Sequence, residues 1–141
     1  MKKKLLLALV MLLSLSVVTG CGCGKKKDKK PTSNIVGKVD YNTNEGVIED
    51  KTVEGLKLTN TSLKTSKYYS TLVTSVTNPT DKDIYVRIFD IIVKDKEGKV
   101  ILKLQGYVGG VVPAKQTRNI TSNVDMDLSN AYKVDYELVK D

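Results

Sequence analysis

The residues with the strongest intrinsic chemistry are two thiols, Cys21 and Cys23, which lie close together near the N-terminus. No histidine occurs anywhere in the 141 residues. Its absence removes Ser-His-Asp and Cys-His nucleophile activation, the usual zinc ligand sets and the commonest general base together. With both cysteines at one end, the rest of the chain has no thiolate nucleophile and no disulfide. Carboxylates, lysines and seven tyrosines remain.

Among the carboxylates, Asp125-Met126-Asp127-Leu128-Ser129-Asn130 alternates oxygen ligands like a calcium loop. It lacks the central glycine and the bidentate glutamate at the twelfth position, so the acids are expected to serve turns or caps. Asp81 and Asp83, flanking Lys82, read the same way. Asp90 interrupts the most apolar stretch of the chain. Pairing with Arg87 or a lysine is favoured over a catalytic role. No acid–base pair and no phosphate loop emerges from spacing, and neither metal nor cofactor is expected. Tyrosines usually pack with the hydroxyl at the rim of a core. Tyr107, set among glycines, is the one expected to be exposed, and it is the candidate ligand contact.

The formal charge of +7 is unevenly placed. Lys2, Lys3 and Lys4 carry part of it, and Lys25, Lys26, Lys27, Lys29 and Lys30 around Asp28 carry the rest. From Pro31 onward 15 basic residues balance 15 acidic ones. A nucleic-acid binder would be expected to carry a basic face on its folded part and aromatics for stacking. This chain has one Phe and no Trp, so nucleic acid is not an expected partner.

The segment that positions the cysteines has three parts. Met1 to Lys4 is basic, and Leu5 to Val18 is an apolar run. As a helix that run would span roughly 21 Å, short of a bilayer's hydrocarbon core of about 30 Å. It therefore reads as the core of an export signal. The small residues that follow suit a signal peptidase. Val18-Thr19-Gly20-Cys21 resembles the lipobox of bacterial lipoproteins. The resemblance implies cleavage after Gly20, with Val18, Thr19 and Gly20 as the recognition residues. It also implies a lipid thioether on Cys21. The other reading is an ordinary secretory signal cleaved near Gly20. Cys23 fits the pattern less well, because Gly20 would then stand where a branched apolar residue is wanted.

Residues 1–20 are thus assigned to the signal and 21–45 to a flexible, lysine-rich tether. Its lysines either extend the tether or touch anionic headgroups or wall polymers, at up to about 1 kcal/mol each. Two acyl chains would outweigh them.

Residues 46–141 carry short β-rich runs separated by turns, the texture of an antiparallel sandwich of about 6–7 strands. Strands are expected at 56–63, 68–77, 84–94, 100–105, 118–124 and 133–139. Within 84–94 the apolar phase changes: Ile84, Val86 and Ile88 share one face, then Phe89, Ile91 and Val93 take over. A bulge near Ile88-Phe89 is favoured over a strand buried on both sides. Val100, Leu102 and Leu104 should point inward. Gly106 to Pro113 reads as a crossover, and 127–131 as a short helical turn.

From about Tyr68 to Val139 the chain resembles the FxLYD-type domain of bacterial surface lipoproteins. The carrying features are Thr77-Asn78 and its polar turn, the apolar strand into Lys94-Asp95, Gly98-Lys99-Val100, and Pro113. Ile91, Val93 and Asp95 occupy the Phe, Leu and Asp positions, and Lys94 occupies the Tyr position. The resemblance implies an immunoglobulin-like sandwich without enzymatic activity. A related group of immunoglobulin-like lipoprotein domains, akin to secreted immunoprotective antigens, fits nearly as well. The expected function is a membrane-anchored, non-enzymatic interaction module on the extracytoplasmic face. Its partners would be the bilayer and an envelope protein, glycan or wall polymer. The alternative is a small-molecule or metal-binding lipoprotein.

Overall fold

The computed structural model describes residues 38–140. In chain order, β1 (Asp40–Asn42) leads into one helical turn, α1 (Glu45–Ile48), and then β2 (Lys51–Val53). Next come β3 (Leu56–Thr65), β4 (Ser70–Thr77), β5 (Ile84–Val86) and β6 (Phe89–Lys94). The last strands are β7 (Val100–Gly106), β8 (Gly110–Val112), β9 (Thr117–Val124) and β10 (Lys133–Leu138). Every pairing is antiparallel, and the class is an all-β sandwich.

One sheet runs β1-β3-β4-β9 with β2 also on β3, a second runs β10-β6-β7, and β5 pairs with β8. Alternation along the strands builds the core. Leu58, Leu63, Leu72, Val76 and Ile120 from the first sheet meet Phe89, Ile91, Val93 and Val134 from the second in one buried cluster. Each such side chain contributes about 1.5–3 kcal/mol by leaving water. A polar link crosses this core, where the Thr61 hydroxyl lies 2.7 Å from that of Thr74 and 3.3 Å from that of Tyr136.

The opposite parity sets the outer faces. On the first sheet β4 turns Thr71, Val73, Ser75 and Thr77 outward, opposite Asn123, Thr121, Asn119 and Thr117 of β9. On the far side of β4, β3 presents Lys57, Thr59, Ser62 and Lys64. The register slips between Thr59 and Ser62, where Asn60 takes a left-handed φ of 53°. That slip lets Leu56 and Leu58 share the inner face with Thr61, Leu63 and Thr65.

Several sequence expectations need correction. Among the described residues ten strands form, more than the 6–7 foreseen. The continuous strand 84–94 is two strands in different sheets, interrupted at Arg87-Ile88. Val86 opposes Gly110 and Phe89 opposes Gly106, so two residues face three, and the surplus lies on the return strand. The inward phase still passes from Val86 to Phe89, as the hydrophobic pattern suggests. Val100 is 50% exposed rather than inward, because the register skips Ile101 as β7 begins. Residues 128–131 make a single turn, closed by Ala131 N–H donating to the Leu128 carbonyl at 3.0 Å, and not a helix.

The fold also reaches into the segment assigned to the tether. Asp40–Asn42 pair with Leu63–Thr65, and buried Asn42 donates to the Ala131 carbonyl at 2.7 Å. A strand of three residues is too short to leave a periodic signal in sequence. The signal 1–20 and the remaining tether, 21–37, lie outside the described residues.

Asn78 joins the layers. It is fully buried where β4 ends; its amide donates to the Lys82 carbonyl at 2.7 Å and the Val112 carbonyl at 2.9 Å. Its side-chain oxygen accepts from the Thr80 N–H at 3.0 Å and hydroxyl at 2.8 Å. Asn78→Ala strands these groups, so urea denaturation should show a loss of about 2–3 kcal/mol. A loss below about 0.5 kcal/mol would remove Asn78 from this role. Tyr136 supplies a second check. Burial raises its pKa above the ordinary 10.0, against the hydroxyls of Thr61 and Thr74. The folded state then holds the phenolic proton more tightly, so its contribution is complete below about pH 10 and is lost as pH rises further. Tyr136→Phe should flatten that alkaline fall in a stability–pH series; equal slopes in both proteins would contradict it.

Candidate functional site

The interruption between the ladders creates the most distinctive surface among the described residues. Along the return strand Gly106 and Val108 are buried, so Tyr107 between them is turned out and is 67% exposed. Gly109 and Gly110 follow with φ of 92° and 89°, a region side-chain-bearing residues rarely adopt. They let the chain turn into β8. There Val111 is 39% exposed and pairs with Tyr85 of β5, itself 65% exposed.

Tyr85 and Tyr107 converge on one point. A methyl at Gly110 would lie 4.0 Å from the Tyr107 hydroxyl and 4.0 Å from Cε2 of Tyr85. Glycine therefore leaves an open backbone floor between two tyrosines. Such a slot can stack on a flat apolar surface and hydrogen-bond through its phenol at the rim.

The structure thus exposes Tyr107, as its glycine neighbours suggest. It also brings in Tyr85, which sequence reasoning grouped with the packed tyrosines. Ile84-Tyr85-Val86 alternation already carried that signal. The expectation that most tyrosines pack in the core is wrong. Tyr41, Tyr68, Tyr69, Tyr85, Tyr107 and Tyr132 are exposed, and only Tyr136 is buried. The short strands hold the core with aliphatic side chains and leave the rings at edges and loops.

The acidic candidates are structural. In the 125–130 loop, Asp127 accepts from the Ser129 N–H at 2.8 Å, a bond that holds its carboxyl below the usual range. The loop's carbonyls are already engaged: Met126 accepts from Ser70 at 2.7 Å, and Leu128, Ser129 and Ala131 accept from Asn42. A shallow cleft of about 180 Å³ beside it is lined by both charge signs, including Lys38, Asp40, Lys67 and Asp127. Asp83 accepts from the Ala114 N–H at 2.9 Å, and Asp81 pairs with Lys115 at 3.1 Å.

Asp90 pairs with Lys103 at 2.8 Å across β6 and β7, in line with the structural reading. Asp135 gathers Lys94 at 2.9 Å, Lys133 at 3.3 Å and Lys51 at 3.7 Å. Burial acts to raise its pKa, but the hydrogen bonds from Lys94 and Lys133 outweigh that and lower it. Among the described residues no three His, Cys, Asp or Glu side chains gather as metal ligands. No helix among them is long and apolar enough to cross a membrane. Val18, Thr19, Gly20, Cys21 and the lysines at 25–27, 29 and 30 lie outside the described residues.

Because both slot tyrosines are exposed, Tyr85→Ala and Tyr107→Ala should each change stability by no more than about 0.5 kcal/mol. Gly110→Ala, forced to a φ of 89°, should cost about 1 kcal/mol or more. Thermal and urea midpoints of the three variants test this; a large loss from either tyrosine change would make the ring a packing element.

No protein-family model, curated protein or solved structure matches this chain.

Proposed function

We propose that the protein is a lipid-anchored interaction module of the bacterial cell envelope, held on the extracytoplasmic face of the membrane through Cys21. The observation that carries the interaction reading is the Tyr85–Tyr107 slot over Gly110. Two exposed rings over a side-chain-free floor suit recognition of an envelope glycan or protein. No charged group belongs to the floor itself.

The anchor rests on Val18-Thr19-Gly20-Cys21 after a basic and then apolar N-terminus. The charge distribution supports it, because the basic excess flanks this junction and the remainder is balanced. The lysines at 25–27, 29 and 30 would meet anionic headgroups or wall polymer next to the membrane.

The fold would be immunoglobulin-like, of the FxLYD type. Asp95 supports that likeness with a physical role: its carboxylate accepts from the Lys99 N–H at 2.8 Å and closes the β6–β7 hairpin. A non-enzymatic role is consistent with carboxylates occupied in ion pairs and turns. The cleft of about 180 Å³ falls below the size usual for small-molecule pockets, about 300–1,000 Å³, so it gives no support to the small-molecule alternative.

Cys21→Ala should leave the precursor unprocessed or release the protein, with loss of metabolic lipid labelling. Unchanged labelling would end the anchor reading. Capture of envelope components by the wild-type protein should be lost with the Tyr85→Ala/Tyr107→Ala double variant. Identical captured material would remove the slot from the binding role.

A further inference from the structure

The two broad faces of the sandwich carry different chemistry. On the outer face of β10-β6-β7, charges are paired: Asp90 with Lys103 and Asp135 with Lys94 across strands, and Asp135 with Lys133 along β10. The outer face of the first sheet has no carboxylate at the twelve outward positions of β3, β4 and β9. Nine of those twelve are Thr, Ser or Asn. The chain from Pro31 has equal numbers of acidic and basic residues, but β3, β4 and β9 contain no Asp or Glu at any position, so the bias lies in the composition of these three strands.

The face is also preorganised. Thr71 donates to the Asn123 side-chain oxygen at 2.8 Å, and Ser75 to that of Asn119 at 3.1 Å. The Thr77 and Thr117 hydroxyls lie 2.8 Å apart. Each asparagine oxygen is thereby used within the array, and its amide N–H groups remain to donate outward. Lys57 and Lys64 have no carboxylate partner among the described residues and add two more donors. The surplus is therefore of donors and positive charge, on side chains already fixed by cross-strand bonds. That arrangement lowers the ordering cost of binding an acceptor-rich ligand.

We propose that this face docks an anionic, hydroxyl-bearing polymer, a polyol chain joined by phosphodiesters. Phosphate oxygens would meet the lysines and asparagine amides, and polyol hydroxyls would exchange hydrogen bonds with the threonines. From Thr71 to Thr77 the array runs roughly 20 Å, at about 3.4 Å per residue, which suits several repeats of a chain better than one small molecule. Val73 is the one apolar side chain among the twelve, so there is nothing to insert into a bilayer. None of the twelve is aromatic, and Tyr41 of β1, exposed and paired with Lys64, is a single ring at the edge of the array, which does not make a stacking platform for successive nucleic-acid bases. The surface shares no residue with the tyrosine slot, and the inference does not depend on it.

The test measures binding of the full chain, in nonionic detergent, to three probes: poly(glycerol phosphate), neutral dextran and inorganic polyphosphate. Poly(glycerol phosphate) should bind at least tenfold more tightly than either of the others. Lys57→Gln/Lys64→Gln should weaken it about five- to tenfold, and Thr121→Glu, which places a carboxylate in the array, should do likewise. Both effects should persist when the lysines at 25–27, 29 and 30 are changed to Gln, and Tyr107→Ala should leave binding unchanged. Retained thermal midpoints would show that the variants fold; if one does not, the other decides. Polyphosphate binding as tightly as poly(glycerol phosphate) would reduce the effect to charge alone. That result, equal dextran binding, or loss on changing only the tether lysines or Tyr107 would overturn the proposal.

Discussion

The fold turns on the side-chain amide of Asn78. A sandwich assembled from short strands must carry the chain from one sheet to the other without leaving buried polar groups unpaired. At the end of β4 the Asn78 amide satisfies carbonyls from the following turn and from the end of β8, while its oxygen caps Thr80. Its backbone N–H adds a fifth hydrogen bond, to the Gln116 carbonyl at 2.9 Å. One apolar-sized side chain with both donors and an acceptor is required; aspartate lacks the donors and leucine lacks everything.

That constraint propagates to the surface. Holding the Val112 carbonyl fixes the end of β8, and β8 holds Tyr85 of β5 through three paired positions. Between the β5–β8 and β6–β7 ladders, one surplus residue turns the return strand. It presents Tyr107 while Val108 is buried beside it. The aromatic slot is thus a by-product of a registry defect, placed by buried amide chemistry below it. The opposite design governs the other edge of the molecule, where Asn42 and Ser70 absorb the backbone of the 125–131 loop. Those bonds turn a row of acids that resembles a cation loop into a structural connection.

Much of this was legible in the chain. Alternation at 56–65, 70–77 and 133–138 marks half-buried strands, and the phase change before Phe89 marks a real discontinuity. Less legible were β1 and the bulge at Ile101. Those features depend on one or two long-range hydrogen bonds or on a single skipped pairing. Local pattern carries no trace of either.

By itself the sequence determined the chemistry open to the protein: no histidine, no thiol beyond Cys23, a basic excess confined to the N-terminal segments, and strands of period two. Those follow from composition and spacing, which do not depend on how the chain closes. Only the tertiary structure decided which residues share a surface. Register aligned Thr71 with Asn123, Ser75 with Asn119 and Thr77 with Thr117, and so gathered the polar outward positions of β4 and β9 into one array. The same kind of pairing, slipped by one residue, set Tyr85 beside Tyr107 over a bare glycine. A strand's period of two assigns each side chain to a face, but its neighbours across the sheet are fixed by contacts dozens of residues away.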